Sequence, residues 1–149
     1  MATGGGDFEA IVLAAGAGRR FGGRKLLAPY AGGRLIDAAL RAAFVAPVAR
    51  VTVVTGFDAA AVEAAVRASP AVDTRLNLVF APEHADGMGA SLARAAAEVS
   101  NAAAGVFVFL GDMPRVPEAV LRPLTAAVEA GAAAAAPTFA NRRGHPVLF

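Results

Sequence analysis

The sequence predicts an α/β protein, with three layers built on a mostly parallel sheet. Three observations carry this. Short apolar runs alternate with alanine-rich stretches of helical spacing, the pattern of βαβ units. The first run, Phe8 to Ala15, feeds a loop crowded with glycine and arginine. The chain has 149 residues, 56% hydrophobic and 17% charged, enough for one domain (1–149) with its own core.

The elements are expected in the following order. Met1 to Asp7 is small and polar and reads as a loose tail. Phe8 to Ala15 is a strand, apolar enough to be buried on both faces. The glycine-rich loop follows, and Lys25–Pro29 with Ala31–Arg34 form a second stretch rich in turns. Leu35 to Val45 carries Leu35, Ile36, Ala39, Leu40 and Ala43 at helical spacing, and Pro47 lies just past its end. Arg50 to Thr55 is a strand closed by Gly56. Ala59 to Ala68 is a helix with Asp58 as its expected N-cap. Leu76 to Phe80 is the third strand, Ala81 to Gly89 a loop, and Ala90 to Val99 a helix. Gly105 to Leu110 is the most apolar strand and ends in Gly111-Asp112-Met113-Pro114. Pro117 suits the first turn of a helix from Glu118 to Ala130. Ala132 to Ala136 is expected as a short strand, and Pro146 to Phe149 as the start of another, with the chain ending mid-strand at an exposed sheet edge.

In such sheets ligands sit outside the carboxyl ends of the strands. Those ends carry Gly16–Lys25, Gly56-Phe57-Asp58, Ala81–Ser91 and Gly111–Pro114. The first of them suits polyphosphate. Gly16, Gly18, Gly22 and Gly23 let the backbone turn tightly and approach a ligand. Exposed backbone N–H groups in such a loop make an anion-binding concavity. Arg19, Arg20, Arg24 and Lys25 add charged donors. Of the 14 Lys and Arg residues Lys25 is the only lysine, a compact point charge suited to phosphate. A GxGxxG loop fails at Phe21, and a P-loop fails because Leu26 follows Lys25 where Ser or Thr is required. The alternative is a plain surface turn carrying arginines.

Asp112 is the first carboxylate after the most apolar strand. It suits a hard cation such as Mg2+ bridged to substrate phosphates, or else a turn or helix cap. Gly87 and Ser91 stand at the start of a helix, where Ser91 either meets a base or ribose or caps the helix. His145 is read as a contact to a second substrate or a solvated turn histidine, and His84 as loop surface. There is no cysteine, so disulfides and thiolate metal sites are excluded. Net charge is +2 and the arginines are scattered apart from the Arg19–Lys25 cluster and Arg142-Arg143, so no nucleic-acid stripe is expected. No apolar stretch is long enough for a membrane helix and the N-terminus has no signal core, so the expectation is a cytoplasmic protein without a membrane partner. With no nucleophile supported by a motif, the rim suits direct phosphoryl or nucleotidyl transfer by positioning and charge.

Four segments carry a family resemblance: LAAGAGRRFGGRKLL (Leu13–Leu27), GMGASL (Gly87–Leu92), GDMP (Gly111–Pro114) and RGHPVLF (Arg143–Phe149). Together and in this order they resemble the MobA-like nucleotidyltransferases, and within them the MocA type, the molybdenum cofactor cytidylyltransferases. The resemblance implies a Rossmann-like nucleotide-diphospho-sugar transferase fold. It also implies transfer of CMP from CTP, with Mg2+, to the terminal phosphate of a molybdopterin-type acceptor, releasing pyrophosphate. Leu13, Ala14, Ala15, Gly16 and Gly18 would then hold the nucleotide, with Gly87 and Ser91. Arg20 and Lys25 would hold the triphosphate, Asp112 the metal, and His145 the acceptor. Ala15 stands where guanylyltransferases of the group have glycine, which favours cytosine. Many relatives have Asn where Ala81 stands. The family runs on past Phe149 and includes a further acidic metal ligand, so the fold is expected to be incomplete at its C-terminus. Other readings are a guanylyltransferase, a sugar-phosphate or methylerythritol-phosphate nucleotidyltransferase of the same fold, or a non-catalytic nucleotide-binding protein that delivers cofactor to a molybdoenzyme.

Overall fold

A computed structural model describes residues 6–17 and 24–149. Gly18 and Arg20, both expected at the site, lie outside the described residues, as do Arg19 and Phe21–Gly23.

The sheet is built by β1 (Phe8–Ala14), β4 (Arg50–Thr55), β5 (Leu76–Phe80), β6 (Gly105–Leu110) and β9 (Val147–Leu148), in the order β5-β4-β1-β6-β9. The first four are parallel, and β9 runs antiparallel to β6 with Val147 opposite Val108. β1 is therefore central. The chain leaves it to one side for β4 and β5 and to the other for β6, so the topological switch point falls at the end of β1.

Four α-helices cover the sheet: α1 (Leu35–Val45), α2 (Ala59–Ala68), α3 (Met88–Ala96) and α4 (Leu121–Glu129). Alternation along β1 divides the core. Phe8, Ala10, Val12 and Ala14 join Ile36, Leu40, Val66, Leu121 and the phenylalanines of β6 in the larger cluster, under α1, α2 and α4. Ile11 points the other way and meets Val54, Ala81 and Ala95, under α3. The rings of Phe107 and Phe109 stack at 5.8 Å between centroids, both fully buried. These are the expected three layers.

Four short strands make two hairpins. β2 (Pro29–Tyr30) pairs with β3 (Gly33–Arg34), and β7 (Thr138–Phe139) with β8 (Arg142–Arg143). Each turns through two residues of positive φ, Ala31 and Gly32 (48° and 84°) and Ala140 and Asn141 (50° and 62°), the backbone that matches strand twist in a two-residue turn.

Several expectations are corrected. Of the expected tail, residues 1–5 lie outside the described residues, and Asp7 is held, its carbonyl accepting a bond from the Ala104 N–H at 3.0 Å. The third helix begins two residues early, at Met88, and ends at Ala96. The Glu118–Ala130 helix divides into a 3-10 turn, Glu118–Val120, and α4, because Pro123 lies inside the run and favours the first turn of a new helix. No strand forms over 132–136. Ala135 makes a single bridge to Leu148, because the alanines before it offer only methyl groups to pack on a sheet face.

Candidate nucleotide site

The loops at the carboxyl ends of β1, β4, β5 and β6 enclose a cavity of about 760 Å3, within the range of small-molecule sites. All four rim segments expected from the sequence contribute to it. The wall from β1 is Leu13, Ala14, Ala15, Gly16 and Ala17, largely backbone and methyl groups. At Gly16 an added Cβ would meet no atom of the other described residues within 4 Å. Packing among the described residues therefore does not require glycine there, and its bare backbone leaves room for a ligand to approach the N–H groups.

Lys25 opens a 3-10 turn, Lys25–Leu27, just past the undescribed part of the loop. Its Nζ donates to Asp112 Oδ2 at 3.2 Å, across 87 residues of sequence. Both side chains are nearly half exposed and both line the cavity. The turn after β6 is held close to β1: Gly111 N–H donates to the Leu13 carbonyl at 2.9 Å, and a Cβ at Gly111 would crowd that oxygen at the same distance. This close approach sets Asp112 beside the end of β1.

Asp58 is not the cap it is expected to be. It sits at the N-cap of α2 with φ 51° and makes no capping bond. Its Oδ2 lies 3.2 Å from Arg24 Nε, though outside hydrogen-bond geometry, and it ties the end of the loop to the β4–α2 turn.

Gly87 occupies the N-cap of α3, and it lines the cavity with Met88 and Ser91. Ser91 therefore does not cap the helix. It is buried at 3% exposure inside the first turn and faces the cavity. Ala81 is fully buried in the smaller core cluster, so it presents nothing to the cavity.

His84 is the residue that sequence reasoning missed. It is half-buried and lines the cavity, rather than lying on the loop surface. A Cβ at Gly56 would overlap His84 Cβ, so the glycine closing β4 is what lets the histidine seat there. His145 is not among the lining residues. Because β9 is antiparallel to β6, the chain enters Val147 from the rim that carries Asp112.

The donor set bears on a metal. Among the described residues no three His, Cys, Asp or Glu side chains cluster tightly enough to cage an ion. One carboxylate does fit a Mg2+-like ion that keeps waters and takes its other ligands from substrate phosphates, and Asp112 is that carboxylate.

A mostly parallel sheet with its switch point at a glycine-lined cavity is a Rossmann-like arrangement. The chain belongs to the MobA-like NTP transferase domain family, which its residues 10–149 match. Among solved structures it is similar to Rv0371c from Mycobacterium tuberculosis H37Rv, at 31% identity over 97% of this chain and 71% of that one, with a TM-score of 0.82. A complex of Rv0371c with manganese is also similar, at 30% identity over 96% of this chain and 70% of that one, with a TM-score of 0.75. A nucleotidyl transferase from Methanothermobacter thermautotroptrophicus is 29% identical over 80% of this chain and 57% of its own, with a TM-score of 0.65. The bifunctional protein GlmU of Dinoroseobacter shibae is 37% identical over 126 residues, 82% of this chain, and the chain spans only 27% of that relative's length.

Proposed function

We propose that this protein transfers a nucleotidyl group from a nucleoside triphosphate to a phosphate-bearing acceptor, with release of pyrophosphate. CTP and a molybdopterin-type acceptor are the substrates to which its sequence motifs point. The observation that carries the reading is the Lys25–Asp112 pair at a cavity whose Gly16 wall is bare backbone.

The chemistry asks little of the protein beyond positioning and charge. An acceptor phosphate oxygen, already ionised at neutral pH, forms a bond to the α-phosphorus, and the bond from that phosphorus to the β-phosphate oxygen breaks in line. No general base is needed. The backbone around Gly16 binds the nucleotide. Lys25 donates to the phosphate oxygens on which charge builds, a role for which Arg20 of the same loop is the second candidate. Asp112 and the substrate phosphates would together hold a divalent ion, which neutralises the departing pyrophosphate. The manganese complex of the mycobacterial relative supports a divalent ion as such and leaves Mg2+ and Mn2+ as the two to compare. Ala15, in place of glycine, favours cytosine.

The test is pyrophosphate release with CTP, GTP or UTP, Mg2+ or Mn2+, and either a molybdopterin-type acceptor or a sugar phosphate. Release is expected with CTP and the molybdopterin-type acceptor. Release with only a sugar phosphate would replace the acceptor. Nucleotide binding without release under any combination would turn the reading toward a delivery protein.

A further inference from the structure

We infer that His84 reads the nucleobase, acting as a specificity-determining residue at the end of the cavity away from Lys25 and Asp112. This rests on the nucleotide reading above and names the group that discriminates between bases.

The argument starts from the order of the rim. Sheet order β5-β4-β1-β6 lays the four loops side by side, with the β5 loop and Asp112 at opposite ends. The β5 loop folds back so that His84 lies against Gly56 at the end of β4, two strand spacings of about 4.8 Å from the end of β6. A ligand with its phosphates at Lys25 and the Gly16 backbone extends its base toward the loop after β5. Among the described residues only four polar side chains line the cavity: Lys25, His84, Ser91 and Asp112. Lys25 and Asp112 are engaged with each other. That leaves His84 and Ser91 toward the other end, and His84 alone carries a ring with both a donor and an acceptor.

The seat of His84 is specific. Its backbone N–H donates to the Ala81 carbonyl at 3.1 Å, and its own carbonyl accepts from Gly87 N–H at 3.3 Å, so one 3-10 turn fixes both His84 and the start of α3. The side chain lies against Gly56, and a Cβ at Gly56 would also come within 3.0 Å of Ala15 Cβ. His84 and Ala15 therefore flank the same glycine. The imidazole lies 6.4 Å from the Phe80 ring, centroid to centroid and tilted. Among the described residues neither ring nitrogen has a hydrogen-bond partner. An imidazole held this way offers an N–H to a base carbonyl or ring nitrogen, such as O2 or N3 of cytosine.

Titration calorimetry with CTP, UTP, GTP and inorganic triphosphate, each with Mg2+, tests this. His84→Phe keeps a ring against Gly56 and removes both nitrogens, and His84→Ala removes the ring. CTP affinity is expected to fall about tenfold in both variants. The preference for CTP over the other nucleotides should shrink, and inorganic triphosphate should bind as it does to the native protein. Unchanged CTP affinity and base preference in His84→Phe would overturn the inference, as would equal losses for CTP and triphosphate, which mean a general collapse of the cavity. A native protein that binds none of the three nucleotides would instead overturn the nucleotide reading, and this inference with it.

Discussion

Lys25 and Asp112 hold each other, yet the proposed chemistry needs them apart, one on phosphate and one on metal. Their 3.2 Å contact is half exposed, so separating them costs little. Lys25→Ala is expected to weaken triphosphate binding by roughly 10- to 100-fold, the cost of a hydrogen bond between charged groups, without lowering stability measurably. Asp112→Asn should retain nucleotide affinity and lose turnover by about two orders of magnitude or more. Binding and pyrophosphate-release assays on the two variants check this split, and equal kinetics in Asp112→Asn and the native protein would remove the metal role. Lys25 and Asp112 were both legible as chemistry, because one is a lone lysine in a glycine loop and the other follows the most apolar strand. His84 was not. A histidine in a polar loop looks solvated until Gly56, 28 positions earlier in the chain, is seen to make room for it.

At the scale of elements, the helix and strand boundaries of α1, α2, β4, β5 and β6 follow from local periodicity and fall where the apolar spacing predicts them. Boundaries slipped where local signals are weak or compete, as at the glycines opening α3 and at Pro123 before α4. What joins elements is less readable. Arg75 stands just before β5 and looks like an ordinary surface charge in the sequence. Its guanidinium donates to the Phe44 carbonyl at 2.6 Å and the Val48 carbonyl at 3.1 Å, and lies 5.4 Å from the Phe44 ring centroid. It thus satisfies a carbonyl in the last turn of α1, a helix with no basic residue of its own there. Arg75→Ala is expected to lower stability by about 1–3 kcal/mol in urea unfolding, with nucleotide affinity unchanged. Arg75→Lys should recover part of it, since one ammonium cannot span both carbonyls.

For the molecule as a whole, two paired surface carboxylates contribute to acid sensitivity. The Arg75 guanidinium holds Asp73 below the ordinary 3.8, chiefly by a side-chain hydrogen bond and then through its backbone N–H. Arg94 likewise holds Glu83 below 4.5. A carboxylate with a lowered folded value stabilises fully above its ordinary value and loses that contribution as pH falls through the lowered one. The melting temperature should therefore be level above about pH 5 and decline in more acidic solution. Asp73→Asn should melt lower at neutral pH and decline less steeply on acidification. Equal slopes for variant and native protein would contradict this. Among the described residues no helix is long and apolar enough to cross a membrane.

By itself the sequence determined the α/β alternation, most element positions, the family and the two charged residues at the proposed centre. These depend on near-neighbour spacing or on short ordered motifs, which the linear chain displays directly. Only the tertiary structure decided that Asp58 ties down Arg24 instead of capping its helix, that Ser91 faces the cavity, and that His84 joins it. Each of those outcomes is set by contacts between loops brought together by strand order. Which loops meet depends on the packing of helices against the sheet, and no stretch of sequence carries that information alone.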